Sequence, residues 1–137
     1  MARPLVKFMS YNSTGLNSVK CKWIDELMET CDVSFCGIQE HFKKTRSLNS
    51  FFKTAFPGSI ASVVPGHREE GRDTGRAQGG LAQLTSKKVE VRGEYLSSST
   101  WRLQAQILHF GEYKLLWMNV YFPSDPQILN FNDAGKL

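Results

Sequence analysis

The feature that most constrains this chain is the switch of apolar period in its first forty residues. Residues 5–11 are apolar and β-favouring, and they stop at Asn12-Ser13-Thr14-Gly15, a run of turn formers. From Ser18, read as the N-cap, the residues Trp23, Ile24, Leu27, Met28 and Cys31 recur at helical spacing. Lys20, Lys22, Asp25, Glu26 and Glu29 take the opposite side. Residues 33–38 are then an almost unbroken apolar run, the mark of a strand covered on both faces, and they end in Gln39-Glu40-His41. Strand, helix and strand in this order make a right-handed crossover between parallel neighbours. Asn12 and Glu40 are therefore expected at the same, carboxyl edge of the sheet, where open α/β sheets take their ligands.

Beyond this unit the pattern changes. Residues 50–56 are aromatic and expected to pack, 60–64 read as a short strand, and 65–79 as a polar loop carrying Arg68, Arg72 and Arg76. Those arginines are interleaved with Glu69, Glu70 and Asp73, so a solvated loop explains them better than a phosphate site does. Four strands follow, at 80–85, 89–95, 101–108 and 113–121, with a tight hairpin at Gly111. In 101–108, Trp101, Leu103, Ala105 and Ile107 alternate with Arg102, Gln104 and Gln106, the period of a half-buried strand with its apolar side inward. The expected class is α/β (α+β): a parallel unit passing into an antiparallel meander, in one domain.

The 137 residues suit a single domain. Lys and Arg number 17 against 13 Asp and Glu, and the net charge of +4 favours an anionic partner only mildly. Cys21, Cys31 and Cys36 are an odd set without zinc or redox spacing, which fits a reducing, intracellular compartment. No apolar run approaches the roughly 20 residues of a membrane span, and the N-terminus lacks the apolar core of a secretory signal.

Four short motifs stand in order along the chain. They are Ser10-Tyr11-Asn12-Ser13-Thr14-Gly15-Leu16-Asn17, Gly37-Ile38-Gln39-Glu40, Gly79-Gly80-Leu81-Ala82 and Asn119-Val120-Tyr121-Phe122-Pro123. Each is common alone, but their order, spacing and strand-end positions together resemble the opening half of the endonuclease/exonuclease/phosphatase superfamily. The Gly-Leu-Asn turn and the Asn-Val-Tyr-Phe-Pro stretch look most like the apurinic-type endonucleases of LINE-like retrotransposons.

That resemblance implies the N-terminal part of a four-layered α/β sandwich, with a mixed sheet and helices on one face. It implies that Glu40 binds Mg²⁺ (or Mn²⁺), hard cations that take oxygen ligands. It implies that Asn12 supports the metal and the phosphate, and that the Tyr121 hydroxyl faces the scissile phosphate. Thr14 and Asn17 would face the substrate, although Asn17 serves equally well at a helix start. The partner implied is DNA, in a nuclear setting, with a reverse transcriptase fused downstream. His41, His67 and His109 match no catalytic position.

The resemblance also implies later elements: an Asp-x-Asn pair and an Asp-His pair that activates water. They do not follow within 137 residues. Asn132-Asp133-Ala134 resembles only the start of the next helix, and Asn130-Phe131-Asn132 lacks the aspartate. The expectation is a truncated phosphodiesterase domain spanning 1–137, inactive alone and liable to aggregate because an inner sheet face stays uncovered. The alternative is a non-catalytic α/β remnant, or a module that binds nucleic acid or protein.

Overall fold

A computed structural model describes residues 5–44, 46–68 and 77–122. The crossover is as expected. Strand β1 (Phe8–Asn12), helix α1 (Ser18–Thr30) and strand β2 (Phe35–Gln39) follow one another, and β1 lies parallel to β2 with Asn12 opposite Gln39. Asn17, not Ser18, caps α1: its side chain accepts a hydrogen bond from the Lys20 backbone N–H at 2.9 Å.

The buried stripe of α1 is narrower than its apolar pattern. Cys21, Ile24 and Met28 are buried, whereas Trp23 is 56% and Leu27 48% exposed. Helix α2 (Leu48–Ala55) flanks α1 on the side of Ser18, Lys22 and Asp25, so the opposite row of Val19, Trp23 and Leu27 gains no cover. The aromatic segment that forms α2 packs as expected, with Phe52 and Phe56 fully buried.

Strands β3 (Ser59–Val64) and β4 (Leu81–Ser86) complete a mixed sheet in the order β1-β2-β4-β3. Both helices cover one face of it. There Cys36, Ile38, Ala82 and Leu84 meet Ile24, Met28, Leu48, Phe52 and Phe56 in one apolar core.

The other face is covered by a second sheet, the antiparallel meander β5 (Arg92–Leu96), β6 (Leu103–Phe110) and β7 (Tyr113–Val120). Gly111, at φ +55°, makes the two-residue turn between Phe110 and Tyr113. Strand β5 starts later than expected, because Val89 is still in a turn, donating its N–H to the Ser86 carbonyl at 3.2 Å.

Two expectations are overturned in this second sheet. Strand β6 turns its polar side inward: Gln104 and Gln106 are buried, while Leu103 and Ile107 are only partly so. The reason is that the facing side of the first sheet presents polar groups at these positions. Gln106 Nε2 donates to Gln83 Oε1 at 3.0 Å, and Asn119 Nδ2 donates to the carbonyls of Ile38 and Ala82, each at 3.0 Å. Nor is the inner face of the first sheet bare, since the meander buries Phe35, Leu81 and Gln83 completely. Exposure falls instead on the outer face of the meander, at Leu116 (53%) and Met118 (56%).

The described residues thus form three layers: helices, mixed sheet and meander. None of their helices is long and apolar enough to cross a membrane.

Candidate functional site

The carboxyl ends of β1 and β2 are fastened together by backbone. Past β1, the N–H groups of Ser13, Gly15 and Leu16 donate to the carbonyls of Gln39 (2.9 Å), Glu40 (2.7 Å) and His41 (3.2 Å). The buried Ser13 hydroxyl donates to the Gln39 carbonyl at 3.0 Å and to that of Glu40 at 2.8 Å. Glu40 sits at φ +58° and Thr14 at φ +44°, left-handed conformations that cost a non-glycine residue of order 1 kcal/mol and persist only when surroundings enforce them. Here the cross-strand bonds enforce them.

Asn12 is exposed and its carbonyl oxygen is committed. Oδ1 accepts from Thr14 N at 3.1 Å and Thr14 Oγ1 at 3.2 Å, an Asx turn that aims the rest of the amide outward. Thr14 is therefore Asn12's partner in the turn, and Asn17 is the helix cap, so neither side chain is idle.

Lys20 was not singled out by sequence, yet it braces the same turn: Nζ donates to the carbonyls of Ser13 at 2.6 Å and Gly15 at 3.0 Å. A signal existed. A cation in the first turn of a helix opposes the helix dipole and needs another reason to be there.

Tyr121 lies just past β7, where its N–H donates to the Arg102 carbonyl at 2.9 Å. Its ring tilts against Trp101 at 5.5 Å between centroids. Asn12 and Tyr121 line one open cleft of about 640 Å³, between the edge strands β1 and β7, together with Ser10, Gln39 and Asn119. Gln39 bridges the two sheets there, donating to Asn119 Oδ1 at 2.6 Å. Glu40 follows Gln39 directly, half-buried, but it is not itself in the wall of this cleft. The structure thus joins Asn12 to Thr14, ties the backbone of the 13–16 turn to Glu40, and sets Tyr121 across the cleft from Asn12.

His41 points away from all of this. Buried at 1% exposure, its Nε2 meets the Val64 carbonyl at 2.9 Å and its Nδ1 accepts the Lys43 N–H at 2.9 Å. Burial, more than any other cause, pushes its pKa from 6.5 down to about 4, so the ring is neutral and structural. Burial likewise raises Cys21 to about 11 and Cys36 to about 12, leaving both thiols inert.

Among the described residues no three carboxylate, imidazole or thiolate groups cluster as a metal would require. Glu40 offers one carboxylate and Asn12 one amide. Arg72 and Arg76, the Asn132 segment and the Asn130-Phe131-Asn132 stretch lie outside the described residues.

Neither a protein-family model nor a curated protein matches the chain. Solved structures do. The AP endonuclease LMAP from Leishmania major is similar at 16% identity over 86% of this chain and 40% of that one, with a TM-score of 0.65. A truncated TDP2 from Caenorhabditis elegans is similar at 20% identity over 89% and 48%, with a TM-score of 0.56. A longer TDP2 structure from the same organism gives 20%, 96% and 42%, also at 0.56. At such identities the likeness is one of fold alone: a mixed α/β fold shared with the AP endonuclease and TDP2 structures. The chain spans less than half the length of each of these structures.

Proposed function

We propose that this chain is the front part of a divalent-cation-dependent phosphodiesterase domain that nicks DNA, of the kind carried by LINE-like retroelements. The observation that carries the reading is the parallel register of β1 and β2, which sets Asn12 beside Gln39 and hence next to Glu40, at the edge that Tyr121 faces. A phosphodiester repels nucleophiles through its own negative oxygens, so a site that cuts one must neutralise charge while it orients the bond.

In this reading Glu40 is a carboxylate ligand of Mg²⁺ or Mn²⁺, which would supply Lewis-acid neutralisation. Its left-handed backbone, pinned from Ser13 and Gly15, fixes where that carboxylate stands. Asn12, with Oδ1 held by Thr14, presents its amide N–H₂ to a phosphate oxygen. Tyr121 offers a hydroxyl donor from the opposite wall. One carboxylate is short of a full ligand set, and the general base is not among these residues.

The rest of the domain is proposed to come from further sequence. Among the described strands, β1 and β7 are each paired on one side only, and both border the cleft, so additional strands have a place at either edge. The retroelement assignment rests on the Gly15-Leu16-Asn17 turn and the motif through Tyr121, and the choice of DNA draws also on the likeness to an AP endonuclease. A nuclear site of action and a downstream reverse transcriptase belong to the same reading.

Plasmid nicking tests it. The 137-residue chain is expected to leave supercoiled plasmid intact in Mg²⁺, whereas the native reading frame continued past Leu137 nicks it. Glu40→Gln in that longer protein should lower the rate ~10²-fold or more, the equivalent of several kcal/mol of lost charge stabilisation. A continued chain that binds DNA but never nicks it favours the non-catalytic binding module instead. Nicking by residues 1–137 alone, abolished by Glu40→Gln, means that this stretch is active by itself and overturns the expected inactivity.

A further inference from the structure

Beside the cleft stand three aromatic rings in contact, and of these the proposed chemistry employs only the Tyr121 hydroxyl. His67 lies flat on Trp101, with ring centroids 4.7 Å apart and planes only 4° from parallel. Trp101 in turn leans on Tyr121 at 5.5 Å, and Arg102 Cζ sits 5.0 Å from the indole centroid. The row therefore runs from Tyr121 in the cleft wall through Trp101 to His67.

It is rigid. His67 is held by two backbone bonds to Gln78, at 2.7 and 2.8 Å, and Tyr121 by its bond to the Arg102 carbonyl. Gly79, at φ +66°, passes so close that a Cβ there would meet Trp101 Cζ3 at 2.8 Å and Tyr121 Cδ1 at 3.1 Å. Four separate chain segments, at 67, 78–79, 101–102 and 121, thus meet around these rings.

Burial does not explain the arrangement. None of the three belongs to the apolar core on the helix side, and although Tyr121 is buried at 9% exposure, His67 and Trp101 stay half-exposed. The other histidine packed on an aromatic ring, His41, is buried and meets Phe52 nearly edge-on, at 67°. A half-open pair of parallel rings, His67 on Trp101, that abuts a candidate phosphate site through the tilted Tyr121 is a surface suited to another flat ring.

We propose that His67, Trp101 and Tyr121 form a stacking platform for an unpaired nucleobase next to the phosphate that the cleft would hold. This rests on the phosphodiesterase reading and deepens it by naming the state of the substrate. Bases inside a duplex already have both faces covered, so the platform selects single-stranded or locally opened nucleic acid. Stacking tolerates any base and contributes about 1–3 kcal/mol per base. Because His67 and Trp101 are already parallel and in contact, little side-chain freedom is lost on binding.

The test needs no catalysis. Two probes of equal length and charge are compared by fluorescence anisotropy at fixed salt: a labelled oligothymidylate and the same sugar-phosphate chain without bases. Trp101 is made the sole indole by Trp23→Phe and Trp117→Phe. The expected results are quenching of Trp101 by the oligothymidylate alone, and tighter binding of it by about 5- to 150-fold, the range set by one stacked base. His67→Ala should erase that preference without changing affinity for the base-free chain, and His67→Phe, which restores a flat ring, should restore it. Equal affinity for the two probes, or a His67→Ala loss that is the same for both, overturns the platform and leaves the phosphodiesterase reading standing. Failure of both probes to bind overturns the two together.

Discussion

The two faces of the four-stranded sheet differ in how much they rely on hydrogen bonds. Toward the helices, Cys36, Ile38, Ala82 and Leu84 meet phenylalanines and aliphatic side chains, and shape alone holds the contact. Toward the meander, beside the aromatic cluster of Phe8, Phe35, Phe110 and Trp117, the side chains of Gln39, Gln83, Gln104, Gln106 and Asn119 lace the sheets through amides whose partners are specific atoms. The first face supplies stability with loose positional demands. The second supplies register, because an amide one residue out of step leaves a buried donor without an acceptor. Asn12 and Tyr121 open from the second face, where position matters most for chemistry.

The largest effect that this contrast predicts is on the helix face. Phe52 is fully buried, between Phe51, Phe56 and the edge of His41. Phe52→Ala is expected to cost about 3–5 kcal/mol in a denaturant titration, the usual range for a buried phenylalanine. A loss below about 1 kcal/mol would mean that the helices are held by something other than this packing.

Next in size is a pH dependence that also belongs to the helix face. The folded pKa of His41 lies near 4, below its ordinary 6.5, so as pH falls the unfolded chain takes up the proton first. Its contribution to stability is whole above about pH 6.5 and declines below it, until pH approaches 4. A difference of that size amounts to roughly 3 kcal/mol at most, by the conversion of 1.36 kcal/mol per pH unit. Unfolding midpoints measured from pH 7 to pH 4.5 should fall steeply in the native protein and less in His41→Gln. Parallel pH profiles for the two proteins would show that the loss arises elsewhere.

What sequence revealed follows the same division. The crossover was legible because a β-favouring apolar run gives way to helical spacing and then to an unbroken apolar run, and handedness then carried Asn12 and Glu40 to one edge without any contact being known. The amide face was not legible. Gln104 and Gln106 alternate with apolar residues and so read as the solvent side of β6, and only Gln83 and Ser62 on another sheet show why they point inward. His67 and Trp101 stayed hidden for a related reason: they lie far apart in the chain and meet only through the His67–Gln78 bridge and the Gly79 backbone. Periodicity reports which side is apolar, and it is silent where two polar sides satisfy each other.

The subtlest prediction puts the same new side chain on the two faces at adjacent positions. Gln83 and Leu84 are neighbours on β4, both fully buried, and they point to opposite sides of the sheet. Methionine matches either in length and volume closely enough that cavity formation is minor. At Leu84 the change is a volume-conserving apolar swap and should cost less than about 1 kcal/mol. At Gln83 it strips Gln106 Nε2 of its 3.0 Å acceptor and the Trp117 carbonyl of its 3.1 Å donor, so the loss should be about 2 kcal/mol although no volume is removed. Denaturant midpoints of the two variants decide the matter. A Leu84→Met loss equal to or above that of Gln83→Met would mean that the sheets are held by shape on both sides, and that the amides are passengers. The expected order would place the positional information for the cleft in hydrogen bonds rather than in packing.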